Sequence, residues 1–221
     1  MIPPLYASAA GWFGIAILAA VCAPASSPRA VTTSLRATLG ELEPAGAVCD
    51  GRRATCARLD RGTRSPKMRA QAQGKGGDEA ELDFLYLGPT EEVAPLASGR
   101  MRRQLGLKLR ARDSCNVLYV MWRIEPGPEL VVSRKSNPGK HRHAECGSAG
   151  YENLRPRRRG RLPRLEEGAR HVLRARLEGQ VLRVWVDDAV VWEGKVGPLD
   201  FDGPVGVRSD NVRFAFSLRT P

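Results

Sequence analysis

The sequence predicts an all-β protein, an antiparallel β-sandwich, and three observations carry that expectation. Apolar residues recur at every second position over several stretches, the period that turns one face of a strand to a core and the other away from it. Glycine (23) and proline (16) are frequent among the 221 residues, as many short strands joined by tight turns require. Helical spacing of apolar residues is scarce. With 42% hydrophobic residues, a chain of this length can bury one sizeable core.

From the N-terminus, residues 1–25 carry no charge, and Trp12 to Val21 form an apolar run ending in Ala23-Pro24-Ala25. An apolar stretch of about 7–15 residues before an Ala-x-Ala site is the secretory pattern. The run is shorter than the ~20 residues of a membrane span. Residues 1–25 are therefore expected to be a signal peptide, and the mature chain to have no transmembrane span and to reside outside the cell, in the periplasm or in the envelope. No Lys or Arg precedes the run, and the first basic residue is Arg29. Cys22 offers a lipoprotein anchor, but Ala19-Ala20-Val21 lacks the Leu expected three residues before a lipidated Cys, so cleavage near Ala25 is favoured. Residues 26–34 read as a Ser/Pro/Thr linker and 35–221 as a single sandwich domain. Within it, 35–79 show few apolar runs, and strand periodicity begins at about Ala80.

Removing the leader leaves Cys49, Cys56, Cys115 and Cys146, an even count that behind an export signal reads as two disulfides. Three connectivities exist. The favoured one closes a small loop with Cys49–Cys56 and ties distant strands with Cys115–Cys146.

The later strands follow the period of two. Leu105, Leu107 and Leu109 alternate with Gly106, Lys108 and Arg110. Leu118, Val120, Trp122 and Ile124 face one side, with Tyr119, Met121 and Arg123 on the other. Leu173, Ala175 and Leu177 alternate with Arg174 and Arg176, and Phe214, Phe216 and Leu218 with Arg213, Ala215, Ser217 and Arg219. The clearest hairpin runs from Val181 to Gly194. A two-residue turn at Asp187-Asp188 pairs Val186 with Ala189 and Val184 with Val191. Leu182, Val184, Val186, Ala189 and Val191 then share the core face, and Val181, Arg183, Trp185, Val190 and Trp192 the other.

In the C-terminal half, His171-Val-Leu-Arg-Ala, Leu182-Arg-Val-Trp-Val-Asp187, Val191-Trp-Glu-Gly194 and Gly203-Pro-Val-Gly-Val-Arg-Ser-Asp-Asn211 follow one another. This succession resembles concanavalin-A-like lectin/glucanase domains, LamG-like ones in particular. It covers 171–218 well and 80–170 loosely. The resemblance implies a jelly roll but no single function, because lectins, glycosidases and adhesion modules share that architecture.

The resemblance directs attention to Glu81-Leu-Asp-Phe-Leu-Tyr86, since retaining glucanases of this fold resemble E-x-D-x-x-E on one strand. Glu81 and Asp83 fit, but Leu85 or Tyr86 stands where the last Glu belongs, so no acid is available to protonate a leaving oxygen. The two acids are expected to be solvated on an edge strand, and no catalytic residue is assigned. His141, His143 and Glu145 have the i, i+2, i+4 spacing of a metal set, but the preceding Lys135-Ser-Asn-Pro-Gly-Lys140 reads as a turn and Cys146 is claimed by a disulfide. No metal site is assigned. Asp210 and Asn211 supply two of the about 6–8 oxygen ligands that Ca²⁺ takes, too few to assign that cofactor.

The net charge of +11 favours anionic partners. Six arginines crowd into Arg155 to Arg164, and Arg157, Arg158, Arg159 and Arg161 are the candidate polyanion contacts, because guanidinium groups pair with phosphate, sulfate or carboxylate. Aromatic residues are not interleaved with them, so specific nucleic-acid binding is not indicated. Arg183, Trp185, Trp192 and Tyr119 are the candidate ligand contacts, because an aromatic ring stacks on a sugar while a polar neighbour bonds its hydroxyls. Cover of the tryptophan face by residues 35–80 is the competing reading. The expected function is non-catalytic binding of carbohydrate or another cell-envelope polymer. A glycoside hydrolase of the same fold, or a structural or adhesion module docking an acidic partner, are the alternatives.

Overall fold

The computed structural model describes Met1 and residues 31–51, 55–74 and 76–221; residues 2–25 of the expected signal peptide, Cys22 included, and 26–30 of the linker lie outside the described residues. Two antiparallel sheets face each other. Among the described residues one has nine strands, in the order β11 (Arg158–Arg159), β14 (Ala189–Lys195), β13 (Val181–Val186), β12 (Arg170–Glu178), β6 (Glu79–Pro89), β16 (Val212–Thr220), β4 (Thr55–Thr63) and β3 (Glu43–Asp50), with β1 (Val31–Thr32) pairing β16. The other has seven: β10 (Tyr151–Asn153), β9 (Glu129–Lys135), β8 (Val117–Glu125), β7 (Arg103–Leu109), β15 (Gly206–Asp210), β5 (Lys67–Ala72) and β2 (Leu35–Leu39). Between β1 and β16 the chain crosses from one sheet to the other eight times: at β1/β2, β2/β3, β4/β5, β5/β6, β6/β7, β10/β11, β14/β15 and β15/β16. No helix among the described residues is long and apolar enough to cross a membrane.

The alternating positions meet between the sheets. Leu105, Leu107, Leu109, Leu118, Val120 and Trp122 pack from the seven-stranded side against Leu82, Phe84, Leu173, Val184, Phe214 and Phe216. Phe84 sits edge-on to Trp122, with ring centroids 5.9 Å apart, and Phe214 stacks on Phe216 at 4.7 Å. Burying such rings is the largest apolar contribution a single side chain makes to a core.

Three sequence expectations change. Residues 35–79, where strand periodicity was hard to read, supply β2 to β5, which pair into both sheets. In β5, Met68, Ala70 and Ala72 alternate inward, but two of these three are alanines, too small to make the period conspicuous. The strand carrying Glu81 and Asp83 is not at an edge either; β6 lies between β12 and β16.

The third change is in the hairpin. Asp187 and Asp188 both adopt positive φ (48° and 65°), as a two-residue turn of this hand requires, and Trp185 pairs Val190 as expected. A bulge then places Val191 opposite no single partner, so that Trp192 rather than Val191 pairs Val184. One extra residue reverses the facing of all that follow. Trp192 therefore turns into the core, 1% exposed, and does not lie beside Trp185.

Both disulfides form as expected. Cys49 and Cys56 bond directly across β3 and β4, and Cys115 and Cys146 bond with Cα atoms 5.9 Å apart. Two such bonds fit a protein of an oxidising compartment.

Candidate functional site

The four aromatic and arginine candidates do not form one site. Trp192 is in the core. Trp185 stays on the outer face of the nine-stranded sheet, half-buried beneath Arg174, whose guanidinium carbon is 4.4 Å from the ring centroid. Arg183 donates from Nε to Glu193 at 2.8 Å. Tyr119 belongs to the other sheet, on the face turned away from the core.

The acids of β6 lie in a guanidinium layer on the same outer face as Trp185. Arg170 donates to both Asp83 carboxylate oxygens, at 2.8 and 2.7 Å, and Arg219 bridges Asp83 (3.2 Å) and Glu81 (2.9 Å). Asp83 is 1% exposed and Glu81 half-buried, so the expected pair of solvated acids is replaced by a partly buried ion cluster. His141 contacts Asp113 at 2.8 Å. Glu145 accepts from the backbone N–H groups of His141 and Arg142 at the start of the short helix α1 (His143–Cys146). In the basic run, Arg157 pairs with Glu193 at 2.7 Å and Arg159 with Glu129 at 3.6 Å; Arg158 and Arg161 are exposed, and the two residues of β11 pair with the edge of β14.

The most unusual chemistry lies on the outer face of the seven-stranded sheet. There β5, β15, β7, β8 and β10 contribute Arg69, Arg208 with Asp210, Lys108 with Gln104, Tyr119, and Tyr151. Asp210, fully buried, accepts from Arg69 (2.6 Å), Gln104 (2.7 Å) and Arg208 Nε (3.0 Å). Burial pushes its carboxyl upward, but Arg208 and Arg69 outweigh that and hold it below the usual carboxylate range. Asn211, the other residue considered for Ca²⁺, bonds the backbone of Ala94 and Arg102.

Lys108 has no such compensation. It is 6% exposed, and among the described residues its ammonium has no hydrogen-bond or ion-pair partner. Its amine is pushed down to about 8, by burial first and then by Arg69 and Arg208. Register explains the crowding of like charges: Lys108 lies opposite Gly206 and Arg208 opposite Gly106, so the two cations are diagonal neighbours with no side chain between them. A Cβ at Gly106 would sit 2.0 Å from the Val120 carbonyl oxygen, and one at Gly206 2.2 Å from that of Ala70. Backbone therefore forms the floor beside Lys108.

Aromatic rings flank this floor. Tyr151, exposed on the edge strand β10, stacks on buried Tyr119 with centroids 6.0 Å apart and planes 19° apart. Arg208 lies over the Tyr119 ring at 4.8 Å, and Lys135 over that of Tyr151 at 5.1 Å. Lys135 is itself held by Ser114 O (2.9 Å) and Gly147 O (2.8 Å), on either side of the Cys115–Cys146 bond. The disulfide thus fixes the wall behind Tyr151. Sequence reasoning selected Tyr119 and missed Arg69, Lys108, Tyr151 and Arg208. The available signal was a charged residue alternating with core leucines, as at Leu107-Lys108-Leu109.

Two facing antiparallel sheets with strands crossing between them make this a concanavalin-A-like jelly roll, as the C-terminal motifs implied. A solved carbohydrate-binding module of family 66 from Bacillus subtilis matches it over 86% of this chain and 97% of its own, with a TM-score of 0.55 and 12% identity. The galectin LEC-6 of Caenorhabditis elegans matches 69% of this chain and 89% of its own, with a TM-score of 0.43 and 12% identity. At that identity the likeness to the family-66 module shows the fold alone. No family model and no curated protein matches the chain.

Proposed function

We propose that this chain is an exported, non-catalytic carbohydrate-binding module, and that its site is the outer face of the seven-stranded sheet. The observation that carries this reading is Tyr151: an exposed ring, stacked on Tyr119, beside buried cationic donors. A saccharide fits such a surface because its C–H face packs on an aromatic ring while its oxygens take hydrogen bonds from fixed polar groups. The jelly-roll fold shared with a carbohydrate-binding module supports the same reading. The hydrolase alternative draws nothing from Glu81 and Asp83, since both are engaged by Arg219 and the latter also by Arg170. Trp185 marks the competing location for a ligand, on the opposite outer face.

A glycan array followed by titration of the best ligand tests this. Tyr151→Ala is expected to weaken binding at least about tenfold, the ~1.4 kcal/mol of a lost stacking ring, while Trp185→Ala leaves it within twofold. The reverse pattern would move the site to the nine-stranded sheet.

A further inference from the structure

Resting on that carbohydrate reading, we infer that the ligand is an acidic saccharide, and that its anionic substituent, a carboxylate or a sulfate, sits on the glycine floor between Lys108 and Arg208. The charge balance of the face points to it. Arg69 and Arg208 both bond one carboxylate, Asp210, and Lys108 lies close enough to the two guanidinium groups to be repelled by both. Arg69 is spent on Asp210 and on the carbonyls of Met68 and Ser209, and Lys135 on loop carbonyls. Arg208 gives only Nε to Asp210, and its Nη1 reaches the Tyr151 hydroxyl at 3.5 Å, a distance at which little is gained. Among the described residues, Lys108 gives nothing to any protein group.

A cation largely removed from water with no protein acceptor is costly in general, and the Lys108 ammonium, which still touches solvent, has only solvent to answer it among the described residues. An apolar residue at position 108 would pack beside Met121 without that cost, so a structural layer alone does not account for the lysine. An incoming anion would supply the missing acceptor, pair with the free edge of Arg208, and leave the sugar ring adjacent to Tyr151. The charged groups acting on Lys108 are Arg69 from β5 and Arg208 from β15, and its cross-strand neighbour on β8 is Tyr119. None is a base that titrates near neutrality, so the charge on Lys108 itself governs anion affinity as pH rises through about 8.

The experiment titrates the full chain with a galacturonic acid oligosaccharide, its methyl ester and a sulfated galactan oligosaccharide, at pH 7 and pH 9. The expected result is at least tenfold tighter binding of a charged form than of the ester at pH 7, a preference that shrinks at pH 9. The carboxylate and sulfate arms identify which anion is held. Lys108→Met, which removes a largely buried charge and should fold, is expected to abolish the preference for the charged form; Lys108→Arg should retain part of it. Equal binding of charged and esterified forms overturns this inference and leaves the carbohydrate reading standing. If the folded protein binds no oligosaccharide, the carbohydrate reading fails, and this inference with it.

Discussion

Lys108 separates stability from function at a single position. Its amine titrates at about 8 in the folded chain against 10.5 in the open one, so between those values the unfolded state binds more protons. Stability contributed by this group therefore rises with pH from about 8 to about 10.5, and the full penalty is present below 8. Lys108→Met should remove the penalty and raise unfolding stability at pH 7 by roughly 1–3 kcal/mol, with the advantage over wild type narrowing by pH 10. Urea midpoints at the two pH values check it, and a variant less stable than wild type at pH 7 would show that Lys108 is satisfied in the fold. The only mark the sequence gave this lysine was its place between two core leucines. Alternation put it opposite a core face, as it does many solvated lysines, and only the neighbouring strands reveal that it is buried beside two arginines.

At the scale of elements, the hairpin of β13 and β14 shows where strand reasoning holds and where it stops. The turn at Asp187-Asp188 and the pairing of Trp185 with Val190 followed from local rules. The bulge at Val191 did not, because a bulge is selected by what packs on the far side, here a core that accepts an indole. Trp192→Ala should thus cost about 3–5 kcal/mol, as for a large buried ring, and Trp185→Ala under about 1 kcal/mol. Equal costs would contradict the register. The disulfides were legible as a count and a spacing. Replacing Cys115 and Cys146 together by Ser should remove about 3–4 kcal/mol of stability on the chain-entropy model. It should also weaken ligand binding, since the loops that hold Lys135 beneath Tyr151 lose their tie. Chemical denaturation and titration of the same sample check both effects; full affinity in the double variant would detach the disulfide from the site.

For the whole molecule, the sandwich was legible from β6 onward, because most of its strands carry leucine, valine and phenylalanine inward at alternate positions. The first four strands of the domain were not: alanines and arginines dominate them, and their partners lie at the far end of the chain, β16 for β4 and β15 for β5. The same long-range pairing hides the candidate site. Arg69, Lys108, Tyr119, Tyr151 and Arg208 come from five strands whose order in the sheet differs from their order in the chain, whereas the tryptophan set lay within one hairpin and was visible at once. The two outer faces of the sandwich therefore compete for the ligand, and a backbone-resolved NMR titration with the saccharide selected on the array distinguishes them directly. The expected result is that amide shifts cluster at Gly106, Lys108, Tyr119, Tyr151 and Arg208 while Arg174, Arg183 and Trp185 stay still. Shifts confined to Trp185 and its arginines, with the Lys108 face silent, would contradict the assignment.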